Sequence, residues 1–170
     1  MGHGRSKQPK KMNHKTAYTQ NRKVFFNYEI LETLEAGVEL FGYETKSVKA
    51  GKANLEGAYV IIRGGEAFLM QANIPPYQQG NTPKGYEPAR MRKLMLHKKE
   101  ISRLSEIEGK KSGGKKTGTR GTTVVPISFY NNAGRIKVEL AVVRGKKKYD
   151  KRASTKKRET DIEMSREMKR

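Results

Sequence analysis

Thr122-Thr123-Val124-Val125-Pro126-Ile127-Ser128-Phe129-Tyr130 and Arg135-Ile136-Lys137-Val138-Glu139-Leu140-Ala141-Val142-Val143 lie on either side of Asn131-Asn132-Ala133-Gly134. In the second run Ile136, Val138, Leu140 and Val142 alternate with Arg135, Lys137 and Glu139. Successive side chains on a strand point to opposite faces, so a period of two marks a half-buried strand. These are the two clearest strands in the chain, and they set a β reading for the rest.

Working outward, Ala58 to Arg63 and Glu66 to Ala72 read as two more strands. Gly64-Gly65 between them tolerates the positive φ of a tight hairpin turn. Arg92 to His97 reads as a strand around Leu94 and Leu96. Lys98 to Glu108 reads as a helix, with Ile101, Leu104 and Ile107 on one stripe. Val24 to Ile30 has the aromatic and branched content of a strand. A second strand is expected at Val38 to Phe41, entered by Gly37 and closed by Gly42, with Glu35-Ala36-Gly37 as the turn before it. Tyr43 to Ala50 is a short helix capped by Gly51. Residues 73–90, rich in Pro, Gly, Asn and Gln, form a long surface loop. The expected fold is mainly β: a small closed antiparallel barrel with a few short α-helices, because closure removes exposed sheet edges.

The chain has 170 residues and a formal net charge of +20. The position of that charge says more than its sum. Residues 1–23 carry seven basic residues and no acid, and residues 144–170 carry twelve basic against five acidic. Residues 108–121 carry five against one, whereas residues 24–107 carry eleven against ten. A nearly neutral body therefore bears three basic extensions. Such an excess draws a polyanion (RNA, DNA or an anionic membrane) through counterion release. Residues 1–20 have almost no aliphatic side chains to offset ordering entropy, and a disordered arm is expected there. The body is expected over 21–143, interrupted by a flexible basic insertion at 109–121. In the tail, 144–170, Thr160 and Glu163 match a capping box, and Met164 and Met168 share a helix face. A helix so short and charged is marginal alone, so the tail is expected to be disordered when free and helical when bound.

With no cysteine, neither a disulfide framework nor a thiolate zinc site can form. No apolar run approaches the ~20 residues of a membrane helix. No segment has the amphipathic apolar face of a membrane-surface helix, and the polar N-terminus is no secretory signal. Cytoplasmic residence is the default. His3 and His14 lie in the arm and His97 stands alone beside Lys98. With no P-loop, paired carboxylates or metal-ligand spacing, no enzyme, metal or cofactor is expected. The catalytic alternative is a metal-free ribonuclease built on His97 and a lysine.

Four constellations have chemistry to offer. Gly145 to Arg152 sets cations beside Tyr149, matching phosphates and an unpaired base, or else serves only as a solubilising tail. Asn21-Arg22-Lys23 either positions a phosphate backbone or ends the arm. The Glu35 carboxylate either accepts a hydrogen bond from a base or a 2′-hydroxyl, or ties down its own loop. Arg90, Arg92 and Lys93 either face RNA or line the solvated side of a strand. The residues alone leave these alternatives open.

Together, several stretches resemble the SsrA-binding protein family, small protein B (SmpB) of bacterial trans-translation. They are Asn21-Arg22-Lys23 leading to Tyr28, Glu35-Ala36-Gly37, the run from Gly42 to Asn54, Gly65-Glu66-Ala67-Phe68-Leu69, Asn73-Ile74-Pro75-Pro76-Tyr77, Arg90-Met91-Arg92-Lys93-Leu94, and Gly145 to Arg152. They occur in order from about residue 20 to the end. The resemblance implies a barrel of the oligonucleotide-binding type. Its partners would be the tRNA-like domain of transfer-messenger RNA and the stalled ribosome, with elongation factor Tu in the delivery complex, and the chain would be a monomer. It implies RNA-facing positions at Asn21, Arg22, Glu35, Glu44, Lys46, Arg92, Lys93, Met95 and Lys137. Tail positions acting at the decoding centre and mRNA channel would be Gly145, Lys146, Lys147, Tyr149, Asp150, Lys151 and Arg152. Phe26 stands where many relatives carry a polar residue or His, and Met95 where Leu is usual. The insertion at 109–121 is longer and more basic than is usual.

Overall fold

The hairpin turning at Ala133 and Gly134 is the foundation of the sheet. A computed structural model describes residues 17–109 and 121–146. In it β6 (Thr122–Asn132) and β7 (Arg135–Gly145) pair from end to end. Only Ala133 and Gly134 turn the chain, both at positive φ, 49° and 79°. A two-residue turn of that hand matches the twist of the strands it joins. Pro126 has no N–H for the ladder, and the register slips beside it, between Pro126 and Ser128.

The remaining strands are β1 (Ala17–Gln20), β2 (Tyr28–Val38), β3 (Tyr59–Arg63), β4 (Glu66–Met70) and β5 (Arg92–Met95). Their antiparallel pairings run β6-β3-β4-β5-β2-β7, and β7 pairs back to β6, so six strands close a ring while β1 adds to β6. Three α-helices accompany them among the described residues: α1 (Lys23–Asn27), α2 (Gly42–Lys49) and α3 (Lys98–Gly109). The main core gathers Leu55, Leu69, Ile74, Leu94, Phe129 and Leu140 from the sheet and loops, Val48 from α2 and Leu104 from α3. Of the expected α3 stripe, Leu104 is in the core, Ile107 packs against it, and Ile101 stays half-exposed outside the cluster.

Three expectations need correction. Val24 to Ile30 is not a strand: its first part is α1, and β2 begins at Tyr28. The helix inserts Val24 into a second cluster with Val125, Ile127, Ala141 and Val143, while Phe25 and Phe26 remain exposed. Burial of one valine on a ready-made sheet face overrides the strand preference of its neighbours. Glu35-Ala36-Gly37 is not a turn, and Val38 to Phe41 is not a separate strand. β2 runs unbroken through Gly37 to Val38, because Gly37 pairs with Met95 of β5. Finally, the arm does not extend to residue 20 and the body does not stop at 143. Ala17–Gln20 pairs with the far half of β6, and β7 continues to Gly145 opposite Tyr28. The insertion from 110 to 120 and the tail from Lys147 onward lie outside the described residues.

Candidate nucleic-acid interface

One row of residues crosses four strands. Met95 of β5 pairs with Gly37 of β2, Gly37 with Lys137 of β7, and Lys137 with Tyr130 of β6. Because side chains alternate, all four positions face the same side of the sheet, opposite to buried Ala36, Val138 and Phe129. Gly37 is what lets Met95 lie flat across the row. A Cβ at position 37 would stand 3.2 Å from the Met95 Cβ, tighter than most carbons pack, so the neighbouring strand would have to give by a few tenths of an ångström. Met95 is 60% exposed, the most exposed large apolar side chain among the described residues.

Glu35 lies two residues before Gly37 and shares its face. Its carboxylate accepts hydrogen bonds from the Tyr130 hydroxyl and the Lys137 ammonium, with Asn132 Nδ2 at 3.5 Å. Burial works to raise the Glu35 carboxyl, and the donors Lys137, Tyr130 and Asn132 together outweigh it, so the group sits below its ordinary 4.5. Burial, joined by the same contact, pushes the Tyr130 hydroxyl well up. Glu35 is thus a carboxylate at neutral pH, and its acceptor sites are largely taken by its own sheet. Lys137 is a third exposed and has three donors, of which Glu35 takes one.

Glu44 and Arg92 leave the surface set. Both are fully buried. Glu44 accepts from the Phe41 backbone N–H at 2.8 Å, the Tyr86 hydroxyl at 2.9 Å, Arg90 at 2.6 and 2.8 Å, and Arg92 at 2.9 and 3.1 Å. Arg92 donates further to the carbonyls of Ala72, Pro88 and Arg90. A buried charge persists only when paired and fully hydrogen-bonded, and this network meets that condition. It fastens the 73–90 loop to α2 and β5. Burial raises the Glu44 carboxyl, but Arg90, the Phe41 amide and Arg92 draw it lower still. Burial and Glu44 together push Tyr86 up to about 12.

The other positions divide. Lys93 faces outward two residues from Met95, in an exposed pair with Glu66. Lys46 is exposed on α2. Arg22 is exposed, while its neighbour Asn21 is 7% exposed and builds the corner between β1 and α1. Asn21 Nδ2 donates to Leu55 O at 2.9 Å, and its backbone N–H to Ile127 O at 2.7 Å. Its Oδ1 has no partner among the described residues, and it borders a 420 Å³ cleft with Lys23, Asn27, Tyr28, Glu56 and Tyr59. Gly145 ends β7. Lys146 donates its backbone N–H to Asn27 O at 3.0 Å and its ammonium to Phe25 O at 2.9 Å, so the chain leaves the body beside α1. Lys147, Tyr149, Asp150, Lys151 and Arg152 lie outside the described residues.

His97 is engaged through its backbone. Its backbone N–H meets Glu100 Oε2 at 2.8 Å, and its carbonyl receives the N–H groups of Glu100 and Ile101, which makes it the start of α3. Tyr130 and Asn132 are the site residues that pattern reading missed. Once the turn is two residues long, register sets Tyr130 opposite Lys137, so the turn length was the signal.

The family model described as SmpB protein matches residues 18–170. An SsrA-binding protein of Microcystis aeruginosa is 45% identical over 89% of this chain and 93% of its own. One from Syntrophobacter fumaroxidans is 44% identical over 89% of this chain and 88% of its own. A solved chain from work described as "tmRNA-SmpB: a journey to the center of the bacterial ribosome" superposes with a TM-score of 0.59. It is 41% identical, and the match covers 76% of this chain and 84% of that one.

Proposed function

The chain belongs to the SmpB protein family, and from that premise we propose that it is an adaptor between transfer-messenger RNA and the stalled ribosome. The observation that carries the reading is the Met95–Gly37–Lys137–Tyr130 row with Glu35 pinned beside it. An exposed thioether chain and an oriented ammonium on a rigid sheet suit a tRNA-like elbow, which offers unstacked bases and phosphates together. Glu35 acts here by aiming Lys137. Lys93 and Arg22 add exposed cations, and Asn21 shapes the corner that presents Arg22. The closed ring of strands supports a barrel of the oligonucleotide-binding type.

The tail, in this reading, enters the decoding centre and the empty mRNA channel, and its ordering is offset by charge-assisted contacts with ribosomal RNA. No bond is made or broken by the chain; peptidyl transfer belongs to the ribosome. Delivery as a monomer together with elongation factor Tu, in the cytoplasm, completes the proposal. The test is a filter-binding titration against transfer-messenger RNA with bulk tRNA as competitor, over a range of salt. Preference for transfer-messenger RNA is expected, and equal competition by bulk tRNA would sink the reading. A chain cut after Lys146 keeps all of β7, so it should retain that preference and lose tagging. Normal tagging by the cut chain would remove the tail from the mechanism.

A further inference from the structure

Beside the Met95–Gly37–Lys137–Tyr130 row runs a second row on the same face. Glu35 of β2 pairs with Glu139 of β7, and Glu139 pairs with Ser128 of β6. Each lies two residues from a member of the first row, so alternation turns all three to the same side. Two carboxylates therefore stand directly opposite each other, and like charges across a strand pair are destabilising. Glu139 is only 8% exposed, and a buried charge costs more still. Ser128 Oγ donates to Glu139 Oε2 at 3.1 Å. The charge of Glu139 reaches the first row: after burial and the Glu35 contact, it adds to the upward push on the Tyr130 hydroxyl.

The result is a face without net charge. Within β2, β6 and β7 around the two rows, alternation points Arg135 and Lys137 outward against Glu35 and Glu139. Lys93, on the same side of β5 as Met95, is paired with Glu66. The whole chain, by contrast, carries a formal +20 and draws any polyanion through counterion release. Choosing one RNA among many needs a face that does not reward phosphate alone, and specificity of that kind comes from a repulsive element. Glu139 is placed to be that element. Because it is buried, salt screens it much less than a surface carboxylate, so its repulsion persists at physiological ionic strength. A neutral residue in its place would leave two cations against one carboxylate.

We propose that Glu139 determines specificity: its buried charge, set opposite Glu35, keeps the Lys137 face from settling on a continuous phosphate backbone. An RNA gains affinity here only by laying unstacked bases on Met95 and setting a single phosphate against the Lys137 ammonium. A regular duplex, which shows a run of phosphates and no free base, is turned away. Glu139 does this through its field and touches no RNA. The inference rests on the reading of the Glu35 row as the RNA face, and it adds to that reading what the face rejects.

The experiment uses the full chain, titrated over a salt series against transfer-messenger RNA and against an RNA duplex of about 16 base pairs. Glu139→Gln keeps the shape and an acceptor for Ser128 Oγ while removing the charge. Its affinity for the duplex should rise about fivefold at low salt, the size of one screened like-charge repulsion. The slope of log affinity against log salt should steepen by about 0.9, for one more phosphate neutralised. Affinity for transfer-messenger RNA should rise by less, so the preference over duplex narrows. Glu139→Asp keeps the charge and should turn the duplex away as the wild type does. In the double variant E139Q/K137A the gain should vanish, which places it at this face rather than in the basic extensions. Unchanged duplex binding in Glu139→Gln, with a native circular dichroism spectrum, overturns the proposal. So does an equal gain for both RNAs, a gain in Glu139→Asp that matches Glu139→Gln, or a gain that survives the loss of Lys137. If the wild type shows no preference for transfer-messenger RNA over bulk tRNA, the adaptor reading fails while the duplex comparison across these variants still stands.

Discussion

Glu44 and Glu35 are built from the same parts and put to opposite use. Each carboxylate accepts from at least one basic side chain and from a tyrosine hydroxyl, Tyr86 in one case and Tyr130 in the other. Each is held below the ordinary carboxyl value against the upward push of burial. Solvent separates them. Glu44 and Arg92 are wholly enclosed and every donor is satisfied within the fold, whereas Glu35 and Lys137 are each about 30% exposed at the side chain. An enclosed network can only hold the fold together, and a half-open one can hold a cation ready for something else.

The largest effect expected from this contrast is on stability. Arg92→Ala would leave Glu44 as a buried charge short of a partner, and breaking a buried pair costs about 3–5 kcal/mol. Urea unfolding should show that loss, while affinity for transfer-messenger RNA per folded molecule stays within about twofold. A mild stability change would mean that water reaches Glu44. The acid limb of the stability curve sharpens the point. The folded carboxyl lies below its unfolded value of 4.5, so the unfolded chain binds the proton first as pH falls. Stability from Glu44 is therefore fully present above about 4.5 and drains away as pH drops through the folded value. Glu44→Gln should flatten that limb more than Glu35→Gln does.

Second in size is the effect on binding. Glu35→Ala should change unfolding free energy by less than about 1 kcal/mol, since a half-exposed pair contributes little. It should weaken transfer-messenger RNA binding by about tenfold, because Lys137 is no longer held in one direction. The circular dichroism spectrum should remain native. If stability falls as far as in Arg92→Ala and affinity does not, the two carboxylates do one job and the contrast collapses.

How far these roles could be read from the chain differs by residue. The β6–β7 hairpin was plain from alternation, α3 from helical spacing, and α2 from the capping glycine at Gly51. Parity also carried the burial of Arg92, which shares a strand face with Leu94, and of Glu44, which is four residues from Val48 on a helix. Charge argued the other way, because a lone Arg or Glu is normally solvated; only the fold brings Arg90, Arg92 and Tyr86 together around Glu44. α1 was out of reach for a different reason. Val24-Phe25-Phe26 prefers strand locally, and its helix exists to place Val24 on a patch supplied by β6 and β7, about a hundred residues away. The assignment of tail and RNA-facing positions came from the family resemblance. Composition and spacing alone had left Asn21-Arg22-Lys23, Glu35, Arg90, Arg92, Lys93 and the tail each with a plain structural alternative.

The smallest effect tests the floor of the row. Gly37 was read as a turn glycine, yet it sits inside β2, and the space over it is filled by Met95. Gly37→Ala would set a methyl 3.2 Å from the Met95 Cβ. The Met95 Cβ is fixed by its own backbone, so β2 and β5 would have to part by a few tenths of an ångström, and at this solvent-facing pair the fold should lose at most about 1 kcal/mol, the low end of what overpacking costs. The displaced thioether chain would then stand off the sheet beside Lys137, and transfer-messenger RNA affinity should fall about threefold. The double variant G37A/M95A discriminates between causes. If Met95 acts by lying flat in the row, Gly37→Ala adds nothing once Met95 is gone, and the two losses are non-additive in a double-mutant cycle. Full additivity would mean that the RNA approaches the Gly37 backbone itself, and the contact surface would then centre on β2 rather than on Met95.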